Sequence, residues 1–120
     1  MRTRHVIALV GAVFMLACGS APKPTDALVN TQASLRAARE VGAGQVPDAQ
    51  LHVKLAEEQV QRADKLMKDG DNEEAKRVLD RAKADADLAV ALAHHARAQQ
   101  ELENMQTTPT ERSVSMTSAH

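Results

Sequence analysis

The adjacent histidines His94 and His95, the carboxylates Asp80, Asp85 and Asp87, and a few scattered serines are the side chains best suited to chemistry at a site. A zinc site needs imidazoles, thiolates or carboxylates converging on one point. Neighbouring helical residues point about 100° apart, so His94 and His95 cannot easily share an ion. His52 could add a third ligand, but no cysteine or spaced carboxylate completes a set. The three aspartates could in principle form an acid–base pair. They are interleaved with Arg81 and Lys83, however, the pattern of a solvated helix face. Acid–base work also needs a cleft that separates the two pKa values. Ser34, Ser113, Ser115 and Ser118 have no glycine-rich elbow and no base nearby. Phosphate loops, CxxC pairs and dinucleotide fingerprints are absent. The expectation is no enzyme, no metal, no cofactor and no small-molecule substrate.

One residue does carry a definite chemistry. Cys18 is the only cysteine, and it follows `MRTRHVIALVGAVFMLA`. Arg2 and Arg4 make a charged start, Val6 to Leu16 an apolar run, and Ala17-Cys18-Gly19 a processing region. The apolar run is shorter than the roughly 20 residues a spanning helix needs. `MLAC` resembles a lipobox, with Met15 and Leu16 departing from the usual residues. The expectation is a lipoprotein signal over residues 1–17 and a diacylglycerol thioether on Cys18, so that the membrane is met through the lipid. No thiol then remains for a disulfide. By resemblance to the sorting rule of Gram-negative lipoproteins, Gly19 and Ser20 lack the aspartate that retains proteins in the inner membrane. That implies the periplasmic face of the outer membrane.

The 120 residues allow one domain at most. Lys plus Arg number 15 against 16 Asp plus Glu, and removing Arg2 and Arg4 with the signal leaves a mildly acidic chain. Nucleic acid needs a clustered basic surface, and there is none. The only aromatic, Phe14, lies in the signal, so the rest of the chain must pack with small aliphatic side chains.

Those side chains recur at helical spacing. After a tether over residues 18–25, Thr25 can cap a first helix over about 26–41, with Leu28, Thr31, Leu35 and Ala38 on one face. `VGAG` ends it, with Gly42 or Gly44 able to take the left-handed conformation. Pro47 suits the first turn of a second helix, about 48–69. Ala49, Val53, Ala56, Val60, Ala63 and Met67 form its seam, widened by Leu55 and Leu66. Gly70 turns the chain, Asp71 can cap a third helix, and Glu74 can complete a capping box. Ala75, Leu79, Ala82, Ala86, Ala89, Ala93 and Ala96 continue the seam. The third helix should run over about 72–105, with a disordered polar tail over 106–120. The expected fold is all-α: an antiparallel three-helix up-down-up bundle with a long alanine-rich third helix, over residues 26–105.

`GDNEEAKRVLDRA` resembles the turn and second helix of a tetratricopeptide repeat. Asn72 replaces an aromatic, and no second copy appears about 34 residues away, so the array is not formed. A broader resemblance rests on `AAREVGAG`, then `VPDAQLHVKLAEEQVQRADKLMKDGDNEEAKRVLDRAKADADLAVALA`. With the lipobox cysteine, this order is similar to a domain-of-unknown-function family of small helical proteobacterial envelope lipoproteins. Some of those relatives carry a peptidoglycan-binding OmpA-like domain; no such domain is expected in the polar segment that follows here, so that activity is not carried over. The resemblance implies a location and an architecture, not a chemistry.

The functional expectation is a structural or adaptor role in the envelope, binding protein helices or a second copy. Residues from His94 onward should overhang the second helix, and Leu102 and Met105 lie off the seam. His94, His95, Leu102 and Met105 are therefore the candidate partner-binding residues. Ala84, Ala91 and Ala98 give the third helix a second smooth face. A role as a peptidoglycan- or polymer-associated lipoprotein is the alternative, disfavoured because no aromatic platform is present.

Overall fold

The computed structural model describes the backbone of residues 21–117 and the side chains of residues 21–106. The expected signal, Cys18 and the last three residues of the expected tail lie outside the described residues. The described chain is all-helical, without strands: α1 (Thr25–Glu40), a single 3-10 turn (Ala43–Gln45), α2 (Pro47–Asp69) and α3 (Asn72–Thr117).

Each boundary has a local cause. The α1 helix ends as Gly42 takes a φ of 79°, which the Cβ of any other residue resists. Pro47 opens α2, where its missing N–H costs no helical hydrogen bond. Gly70, at φ 88°, closes α2, and the Asp71 N–H donates back to the Leu66 carbonyl at 2.9 Å. That is the six-to-one bond of a Schellman turn. The Asp71 carbonyl then accepts the first α3 bond, from the Ala75 N–H at 2.9 Å.

Three local expectations differ. Thr25 does not cap α1. It is the first helical residue, and the Pro24 carbonyl takes the Leu28 N–H at 3.1 Å. Glu74 does not reach back to form a capping box, because Arg77 holds its carboxylate at 2.6 Å. The segment 106–117 is helix rather than disordered tail. Nucleation is the costly step of helix formation and each further residue adds a bond. No glycine follows Met105 to reverse the chain, and α3 runs on through Pro109 even though that residue has no N–H to offer the Met105 carbonyl.

The core is thin and lies where the three helices meet. Beside the Gly70 turn, Ala63, Ala75 and Leu79 pack with Leu28, Val60, Leu66 and Met67. Farther from the turn, Leu35, Ala38, Ala49, Val53 and Ala56 pack against Ala82, Ala86, Ala89 and Ala93, with Ala43 closing that end. Most residues of the expected faces are buried; Leu28, Leu55, Val60, Leu66, Met67 and Ala96 are half-buried. Leu79 and Thr31 are the largest fully buried side chains. The Thr31 hydroxyl needs an acceptor there, and it lies 2.8 Å from the Ala27 carbonyl and 3.1 Å from that of Leu79. Thr31 thereby ties α1 to α3.

Candidate helix-docking surface

Helix α3 has two unlike sides. One carries the buried alanines and stops at Ala93, after which no residue through 106 is buried. With 46 residues it is about 69 Å long, against about 35 Å for the 23 residues of α2. The uncovered part starts slightly later than the sequence implies. Arg97 reaches back to donate to the Val41 carbonyl at 3.2 Å, and Ala96 is half-buried beside the `VGAG` turn. That loop, not α2, covers the first turn past Ala93.

All four candidate partner-binding residues are exposed. Leu102 and Met105 are 54% and 62% accessible, and His94 and His95 are open to solvent. His95, Leu102 and Met105 share a side through their spacing of seven and three, with His94 at its edge. Sequence reasoning missed Leu88, which is 43% accessible on the same side. Its spacing of seven from His95 was the available signal.

The acidic residues of α3 separate into two kinds. Asp80 and Asp87 pair with Lys76 at 2.7 Å and Lys83 at 2.6 Å, four residues away on an exposed surface. Such pairs are worth little. Partial burial pushes the Asp87 carboxyl up, but hydrogen bonds from Lys83 and Ser34, with the Lys83 charge, outweigh it and hold it below its ordinary value. Glu74 is also held low, by the Arg77 hydrogen bond and charge and more weakly by Arg62 and Arg81.

Asp85 is the second kind. It turns into the α2–α3 interface, where His52 Nδ1 lies 2.9 Å from one carboxylate oxygen and Gln59 Nε2 donates to the other at 2.7 Å. His52 is thus engaged with Asp85, far from His94 and His95. Among the described residues no group of three or more His, Cys, Asp or Glu could hold a metal ion.

A shallow cleft of about 540 Å³ lies where the segment before α1 meets the start of α3. Buried Asn72 lines it and donates to the Ala21 carbonyl at 2.6 Å. The position that carries an aromatic in a tetratricopeptide turn here fastens the chain leading into α1.

The family model described as Domain of unknown function (DUF4398) matches residues 26–105. The chain belongs to this family. The matched DUF4398 span takes in α1, the `VGAG` turn, α2 and α3 as far as Met105. It therefore includes the exposed Leu102 and Met105 along with the packed helices. No curated protein and no solved structure matches the chain. No described helix is long and apolar enough to cross a membrane.

Proposed function

We propose that this DUF4398 protein is a lipid-anchored, non-enzymatic adaptor of the cell envelope. In this reading it is an antiparallel up-down-up bundle, tethered through Cys18 to the periplasmic face of the outer membrane, and its α3 binds protein helices. The two-residue link between α2 and α3 and the cross-helix pairs His52–Asp85 and Arg39–Glu57 support the bundle. The charged, apolar and cysteine-terminated start of the sequence supports the anchor.

The observation that carries the binding role is a helical segment with exposed Leu102 and Met105 that neither α1 nor α2 covers. In water such a surface gains from a partner. A fatty-acid label in cells should mark the protein and disappear in Cys18→Ser, and the labelled protein should sediment with outer-membrane markers. A photo-cross-linking residue at Leu102 should give a discrete protein adduct, and one at exposed Lys65 of α2 should not. Label retained in Cys18→Ser removes the anchor from the proposal. Equal adducts at both positions, or none at Leu102, remove the binding role.

A further inference from the structure

The exposed side of α3 is more ordered than a scatter of apolar residues. Leu88, His95 and Leu102 recur every seven residues, and Ala84, Ala91, Ala98 and Met105 form a second column with the same period. Together they alternate at spacings of four and three, the seam of a coiled coil over three heptads. Every one of these residues is exposed. The seam lies half a turn from the buried stripe through Ala82, Ala86, Ala89 and Ala93, so α1 and α2 leave it clear.

We propose that this seam binds the same seam of a second copy, with the two α3 helices antiparallel. This rests on the reading of α3 as a helix-binding element and not on the lipid anchor. The pairing follows from side-chain size. With the helices reversed, Leu88 meets Met105 of the second copy, His95 meets Ala98 and Leu102 meets Ala91. Two of these layers set a large side chain against an alanine, which fills space and lets the backbones come close. The flanking positions agree, because the same register sets His94 of each copy beside Glu101 of the other. An in-register parallel pair instead stacks His95 on His95 and alanine on alanine. Packing with α1 and α2 has already formed the helix as far as Ala93, so much of its ordering cost does not fall on association.

The test uses the full chain carrying Cys18→Ser, in mild detergent, which removes both the lipid and the competing thiol. Sedimentation should show twice the monomer mass, and Leu102→Lys should return it to the monomer with unchanged circular dichroism. Air oxidation with copper phenanthroline should cross-link Ala91→Cys/Leu102→Cys as a dimer and leave Leu88→Cys uncross-linked. In the antiparallel register the two Leu88 positions are about 25 Å apart along the axis. A monomer at all concentrations, a dimer that survives Leu102→Lys, or efficient cross-linking through Leu88→Cys overturns the proposal. A monomer whose Leu102 photo-adduct contains a different protein overturns it too, while leaving the adaptor reading standing.

Discussion

The two faces of α3 are built from the same residue and end in opposite environments. Ala82, Ala86 and Ala89 are fully buried, whereas Ala84, Ala91 and Ala98 are exposed. High helix propensity accounts for alanine on either face. Only the buried face shows what alanine does besides, since its small side chains admit α1 and α2 close to the α3 backbone. There Leu79 and the hydrogen-bonded Thr31 are the largest fully buried side chains. The exposed face has larger side chains at every seventh position, and among the described residues neither α1 nor α2 packs against it. Alanine content thus predicts helix, while the residues between the alanines decide what each face meets.

The contrast breaks most sharply at leucine. Leu79→Ala should destabilise the domain by about 2–5 kcal/mol, through lost burial and the cavity left behind. Leu88→Ala on the open face should stay within about 0.5 kcal/mol in dilute monomer. Urea melts of the two variants make the comparison, and similar losses would erase the distinction between the faces. Adding bulk runs the same contrast in reverse. Ala86→Leu should cost about 1–3 kcal/mol by overpacking, and Ala84→Leu should be close to neutral. Equal melting temperatures for that pair would mean that the face is misassigned.

A smaller effect is expected at the polar edge of the interface. Asp85→Ala leaves His52 and Gln59 without their acceptor and should cost about 1–3 kcal/mol. The neighbouring Asp80→Ala removes only an exposed pair with Lys76, worth about 0.5 kcal/mol. The smallest effect sharpens the same boundary by titration. The Asp87 pKa is lowered in the folded state, so its contribution is present above the unfolded pKa and fades as pH falls through the folded value. Ser34→Ala removes one hydrogen bond to the carboxylate and should raise that pKa, moving the acid loss to higher pH. Carboxyl chemical shifts followed from pH 7 downward read it directly, and an unmoved Asp87 titration would remove Ser34 from its surroundings.

Much of the fold was legible because alanine and leucine spacing maps directly onto helix faces. The run Ala75, Leu79, Ala82, Ala86, Ala89 and Ala93 could be read from the sequence and is buried. The glycine turns were legible for a similar reason, though Gly42 and Gly44 were not distinguishable. Which of them takes positive φ depends on how Ala43 enters the core. The extension of α3 to Thr117 was not legible. Polar composition and Pro109 argue for a stop, yet the helix continues past both.

Local sequence alone sets the helical class, the turn at Gly70 and the buried stripe of α3, because each depends on residues within a turn or two of one another. It also placed the candidate lipidation residue and the exposed segment around Leu102. The partners of the polar side chains come instead from how the helices pack. Asp85 meets His52 and Gln59 across the interface, Asn72 holds the Ala21 carbonyl, and Thr31 is shared with the Leu79 backbone. Those bonds join residues 26 to 51 positions apart. Periodicity along one helix cannot specify them, because they depend on the rotation and offset at which two helices pack.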